Sequence, residues 1–137
     1  MLDTDVASYV IKGTAPAIDK RLSRLDTAQV CISAITRAEL RFGARRIQSA
    51  FRLAAEVEKF LMGVGTVAWD EAAADKFAEV RVNLERVGTP IGAFDTMIAA
   101  HAMAAKVTLV TNNEKHFRLV KGLTVENWAE LTRPSRT

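Results

Sequence analysis

The 137-residue sequence has one cysteine, two histidines and three prolines, and aromatic residues make up only 7% of it. Each scarcity excludes something. A single thiol forms no internal disulfide, and Cys31, inside the apolar run VCIS with no base beside it, is expected to be a buried structural thiol and not a nucleophile. With only His101 and His116 to join it, the chain lacks the ligand inventory of a structural zinc site. The few aromatics argue against a row of base-stacking platforms, and Tyr9, Phe42, Trp69 and Phe94 are expected in the core or at an interface. There is no long uninterrupted apolar run either. The most apolar region, residues 91–110, is broken by Asp95, His101 and Lys106, and the N-terminus does not show the basic-then-apolar pattern of a secretory signal. Neither membrane insertion nor export is indicated, and a cytoplasmic location is expected.

What is present is enough for one compact domain. Hydrophobic residues are 49% of the chain, and a length of 137 sets the expectation of a single domain over residues 1–130, followed by a flexible basic tail, 131–137 (LTRPSRT). The formal net charge of +3 is a mild basic excess that suits a phosphate-rich partner without specifying one.

Punctuation by glycine and proline gives the order of elements. MLDTD reads as the end of a strand that starts at the N-terminus. VASYVIKG and APAIDKRLSRLD read as two short helices split by Gly13 and Pro16. AQVCIS is a β-rich apolar run, and SAITRAELRFGARR has helical spacing with Ile35, Glu39, Phe42 and Arg46 along one face. A second helix over 47–62 stops at Gly63 and Gly65 before the strand TVAW. DEAAADKFAEVRVNLERVG is a long helix capped by Asp70 and ended by Gly88. After it come the loop GTPIGAF, a helix over 95–105, the strand VTLVT, the polar turn NNEKHF and a short extended piece, LTVEN. Strands alternating with helices imply an α/β fold with a mostly parallel central sheet flanked by helices, in which ligands gather at the carboxyl ends of the strands.

Three acids stand where surface acids are not expected. Asp3 follows directly on the first strand. Glu39 shares a helix face with Ile35 and Phe42, and Asp95 lies at i, i+3, i+4 and i+7 with Ile98, Ala99 and Ala102. A lone carboxylate facing inward costs several kcal/mol unless a cation or hydrogen-bond donors neutralise it. No arginine or lysine shares those faces near Glu39 or Asp95, which points to a bound metal, and an all-oxygen set selects a hard ion such as Mg²⁺ or Mn²⁺. Local explanations compete: Thr36 and Glu39 fit a T-x-x-E capping box, Asp95 suits a helix N-terminus, and Asp3 and Asp5 suit a turn in which Thr4 caps the next helix.

At these residues the sequence resembles the PIN-domain endoribonucleases, specifically the VapC toxins of bacterial toxin and antitoxin pairs. The pieces that carry the resemblance are MLDTD, CISAITRAELRFGA, GTPIGAFDTMIAAHA, LVTNNEKHF and GLTVENW, in family order over residues 1 to 129. The resemblance implies a PIN-like fold in which Asp3, Glu39 and Asp95 hold Mg²⁺ or Mn²⁺ over an RNA phosphate, with Thr111 and Asn113 lining the same pocket. Many relatives carry a fourth acid at the position of Asn113 or of His116. This chain has none there, so whether the site holds one metal or two stays open. Asp5 stands where asparagine is usual and offers one negative charge in return. The resemblance further implies structured RNA, such as tRNA, as substrate, a VapB-like antitoxin that puts a basic side chain into the acidic pocket, and a homodimer. Two other readings remain: a catalytically silent PIN domain that only binds RNA or protein, and a haloacid-dehalogenase-like phosphatase with LDTDV as its nucleophile motif.

Overall fold

The computed structural model describes residues 1–47 and 49–129. The sheet is parallel throughout: β1 (Cys31–Ser33) pairs with β2 (Gly65–Val67), and β3 (Leu109–Val110) pairs with β4 (Val125–Glu126). Leu2 joins the two halves, bridging Ile32 on one side and Val110 on the other, so the order is β2, β1, the N-terminal segment, β3, β4. The main-chain bonds Leu2 N–H to Cys31 O (2.9 Å), Val110 N–H to Met1 O (2.8 Å) and Asp3 N–H to Val110 O (3.0 Å) lock that segment into the middle. The first strand read from MLDTD is thus reduced to a bridging residue, yet it occupies the centre of the sheet.

Among the described residues seven α-helices surround the sheet: α1 (Thr4–Lys12), α2 (Pro16–Leu22), α3 (Ala34–Arg45), α4 (Phe51–Gly63), α5 (Glu71–Arg86), α6 (Ala93–Ala104) and α7 (Glu114–Phe117). The alternation of side chains along strands divides the core in two. Met1 and Leu109 face a cluster with Val80, Leu84, Ile98, Ala99, Phe117 and Val120. Leu2, Ile32 and Val110 face the other way, against Val6, Ile18, Leu40, Val57 and Leu61. The result is three layers, with α5 and α6 on one face and α1, α3 and α4 on the other. Alanine at 99, 100 and 102, each with 0% exposure, lets α6 lie close against the sheet and α5. Among the described residues no helix is long and apolar enough to cross a membrane.

Local boundaries follow identifiable caps. The Asp3 side chain accepts the Val6 N–H at the start of α1, and Gly13, at φ +66°, ends it in the left-handed region that favours glycine. Asp70 caps α5 as expected. Three expectations need correction. The polar turn NNEKHF contains the single-turn helix α7, because Phe117 is buried and anchors it in the core. The strand over AQVCIS covers only Cys31–Ser33, since Thr27–Gln29 wind into a 3-10 turn closed by reciprocal Asp26–Gln29 bonds. On α3 the buried face is Thr36, Leu40 and Ala44; the face carrying Ile35, Glu39 and Phe42 is turned partly outward, and Phe42 is 68% exposed. Cys31 is half-buried against the core. The tail expected at 131–137 lies outside the described residues.

Candidate metal centre at the carboxyl edge of the sheet

The carboxyl ends of the central strands deliver Asp3, Ser33 and Thr111 to one edge, and the helices that start there bring the remaining groups. Asp3 is 3% exposed. One of its oxygens accepts the Val6 N–H at 2.8 Å, and the Thr111 hydroxyl donates to the same carboxylate. Thr111 can direct its proton this way because its oxygen is held by the Asn113 N–H at 2.9 Å. These donors do not offset desolvation, and burial lifts the Asp3 carboxyl from 3.8 to about 6, with the charges of Asp5 and Asp95 adding to the rise.

Glu39, in the second turn of α3, is half-buried and aimed by α1: the Thr4 hydroxyl donates to its Oε1 at 2.7 Å, and Thr36 Oγ1 lies 3.1 Å from the same hydroxyl. Burial raises its carboxyl, and the charges of Asp95 and Asp5 raise it further. Asp95 sits in the first turn of α6 at the open end of the stripe Ile98, Ala99, Ala102, each of which has 0% exposure. Burial again raises it, followed by the charge of Asp5, against a smaller opposing pull from His116, whose Nδ1 is 3.9 Å from Asp95 Oδ2.

Residues 3, 39 and 95 are therefore within electrostatic reach of a common neighbourhood, and Asp5 raises all three. Among the described residues no arginine or lysine is in ion-pair distance of any of them. Arg41 is engaged with Glu58, and Arg118 with Glu114. The capping-box explanation of Glu39 is not realised, because Ser33 caps α3 and Glu39 bonds across to Thr4. Asp3 does serve as a helix cap, but its burial far exceeds what a cap requires.

A hard divalent cation fits this donor set. The donors are oxygens, the cluster is anionic and mutually repulsive, and a positive ion would relieve the strain that burial imposes on Asp3. Among the described residues no three His, Cys, Asp and Glu side chains stand close enough together to hold a metal ion between them. Mg²⁺ keeps several waters and takes as few as one or two carboxylates directly.

Five side chains that frame this edge are not apparent from periodicity. Thr4 aims Glu39. His116 stands between Asp95 and Asn113, its Nδ1 3.0 Å from Asn113 Nδ2. Ser33 and His101 form a buried bond of 2.7 Å that ties the start of α3 to α6, the two helices carrying Glu39 and Asp95. Ser33 Oγ also accepts the Ile35 N–H at 3.0 Å. Glu114, between Asn113 and His116, is drawn away by Arg118 and by Asn127 Nδ2 at 3.2 Å, which hold its carboxyl below the ordinary range.

An acidic edge of this kind on a parallel α/β sheet suits metal-assisted chemistry on phosphate esters, and comparison with known proteins narrows the class. The PIN domain model matches residues 1–123. The chain is 37% identical over 129 residues to the tRNA(fMet)-specific endonuclease VapC of Shigella flexneri, covering 94% of this chain and 97% of that one. The corresponding enzyme of Salmonella typhimurium is 38% identical, with 93% and 96% covered. Among solved structures, the DNA-bound VapBC of Salmonella typhimurium superposes with a TM-score of 0.88 at 38% identity, covering 93% of this chain and 96% of that one. VapBC2 of Rickettsia felis, bound to a fragment of its promoter, gives 0.87 at 32%, with 93% and 97% covered. The chain belongs to the PIN-domain family, among the VapC ribonucleases. That membership removes the dehalogenase-like phosphatase reading.

Proposed function

We propose that this protein is a Mg²⁺-dependent endoribonuclease toxin that cleaves tRNA and is neutralised by a VapB-like antitoxin, with Mn²⁺ able to replace Mg²⁺. The observation that carries the reading is the group of four acids at the carboxyl edge of the sheet, one of them almost wholly buried, with no arginine or lysine in ion-pair distance of Asp3, Glu39 or Asp95 among the described residues.

In this reading Asp3 and Asp95 hold the ion directly, and Glu39 holds it or its water. When bound, such an ion supplies a nucleophilic water at neutral pH and neutralises a non-bridging phosphate oxygen. The protein contributes positioning. The Val6 N–H and Thr111 hydroxyl fix the Asp3 carboxylate, Thr4 fixes Glu39, and the hydrogen bond between Ser33 and His101 ties the start of α3 to α6. In this reading Asn113 orients the attacking water or the scissile phosphate, while Thr111, at 0% exposure and committed to Asp3 and to the Asn113 N–H, acts through Asp3. The basic side chains Arg45, Arg46, Lys115 and Lys121 are exposed and available to RNA phosphates, whereas Arg41 and Arg118 are engaged with glutamates.

The tRNA assignment rests on the names of the two enterobacterial relatives, and the antitoxin on the VapBC complexes among the structural neighbours. An antitoxin arginine entering the acidic cluster would compete with the ion for the same carboxylates. Exposed Phe42, Ile47, Phe51 and Met62, from the helices after Glu39, are the candidate homodimer or antitoxin surface. The absence of an acid at 113 and 116 favours one alternative, a PIN domain that binds RNA without cutting it. Incubating purified protein with tRNA in Mg²⁺ or EDTA and mapping new ends separates the two: metal-dependent ends support the enzyme, and RNA that is bound but uncut supports the binding module.

A further inference from the structure

Glu39 does not stand alone on its side of α3. Its neighbours one turn on, at i+3 and i+4, are Phe42 and Gly43, and Arg46 follows at i+7 where the helix ends, so the four share one strip of its surface. The strip is open. Phe42 is 68% exposed, against 1% for Phe117, and a Cβ added at Gly43 would meet nothing within 4 Å. Glycine inside a helix is unfavourable, and neither a left-handed backbone nor a close neighbour calls for it at 43. Arg46 is exposed and, among the described residues, in ion-pair distance of no acid, whereas Arg41 on the other side of the helix is held by Glu58. Of the exposed apolar side chains on α3 and α4, Phe42 is the one that continues from a site carboxylate; Phe51 and Met62 belong to α4.

At 1.5 Å per residue Phe42 lies about 4.5 Å and Arg46 about 10.5 Å beyond Glu39 along the axis. A stacked strand advances roughly 3.4 Å per nucleotide, so the strip spans about three nucleotides. We propose that it carries single-stranded RNA away from the acidic edge: Phe42 stacks on an unpaired base, Gly43 leaves room for that nucleotide's sugar, and Arg46 takes a phosphate further along. Stacking tolerates any base but needs its face free, so the strip selects a loop or an end over duplex. This assignment rests on the proposed nuclease reading for the position of the scissile phosphate, and its binding test stands apart from cleavage.

The probe is a fluorescent single-stranded oligoadenylate, bound to the full chain in EDTA and followed by anisotropy. Phe42→Ala should weaken binding about tenfold and Phe42→Trp should preserve it. Gly43→Ala should weaken binding several-fold although its Tm does not fall, because alanine is the better helix former. Arg46→Ala should make the log-log salt slope shallower by roughly 0.7. Binding by Phe42→Ala or Gly43→Ala as tight as that of the unaltered chain overturns the proposal. So does a Phe42→Ala that loses self-association in sedimentation while binding RNA normally, since the ring then serves a second copy of the chain. Metal-dependent cutting of tRNA alongside either result sinks the strip alone, and oligoadenylate binding that responds as expected in a chain that cuts no tRNA in Mg²⁺ sinks the nuclease reading alone.

Discussion

The molecule buries polar groups in two places that behave oppositely. At the carboxyl edge of the sheet, Asp3, Glu39 and Asp95 are all pushed toward the protonated form by burial and by one another's charge. A few residues away, Ser33 and His101 are buried more deeply than Glu39 and Asp95, at 0% and 1% exposure, and are tied by a 2.7 Å bond; Trp69 packs edge-on against the imidazole with ring centroids 5.4 Å apart, and His101 Nε2 is buried without a hydrogen-bond partner. Burial holds the His101 imidazole below its ordinary range and so keeps it neutral. One site is uncharged and organises helices. The other is left with an unbalanced charge that a structural role does not explain. Charge without a partner, more than burial alone, separates the two.

The strongest way to break this contrast is to remove charge from the acidic edge while keeping its shape. Asp95→Asn should reduce tRNA cleavage in Mg²⁺ by at least about a hundredfold, the scale on which loss of one electrostatic group affects catalysis, while circular dichroism shows a folded protein. Cleavage at an undiminished rate would remove Asp95 from the site.

The second effect is on stability. Between 3.8 and about 6 the unfolded chain gives up the Asp3 proton while the fold retains it, so without metal stability falls as pH rises through that window and is flat above it. The accumulated cost at neutral pH is roughly 3 kcal/mol at most. Asp3→Asn keeps an acceptor for the Val6 N–H and should recover much of that in urea unfolding with EDTA, and saturating Mg²⁺ should narrow the gap. His101 acts in the other direction: below 6.5 the unfolded chain takes up a proton that the fold resists, so its contribution is lost on acidification. In Asp3→Asn that acid limb should stand out, opposed only by the smaller rises of Glu39 and Asp95. A pH profile unchanged by the substitution would contradict the burial argument.

Ser33→Ala should cost about 1–3 kcal/mol in chemical unfolding, because it orphans a buried imidazole nitrogen and removes the cap of α3. Cleavage per folded molecule should survive, in contrast to Asp95→Asn. Smallest is the surface effect: replacing Lys121 by alanine should lower the log-log salt slope of RNA binding by roughly 0.7 if that lysine neutralises a phosphate, and leave it unchanged if it does not.

Much of this edge was legible in the residues themselves. Asp3 could be placed because a strand so close to the N-terminus must hand its next residue to the carboxyl end, and Asp95 because it lines up with Ile98, Ala99 and Ala102. Glu39 was found on a weaker signal, since the buried face of α3 runs through Thr36, Leu40 and Ala44 and the glutamate stands one step around it. Two things were hidden. A four-residue helix such as α7 has no period to detect, so the approach of His116 to Asp95 is a tertiary fact. His101 looked only like a deficient zinc ligand, because its partner, Ser33, lies 68 residues away. Asp5 was visible as an extra charge, but its influence on all three other acids depends on how α1 leaves the sheet.

The most direct measurement is anomalous diffraction from crystals of the protein soaked in Mn²⁺. The account predicts a peak at the carboxyl edge of the sheet within ligand distance of the Asp3 and Asp95 carboxylates. Saturated crystals with no peak there, and with these carboxylates paired to local donors of their own, would contradict it.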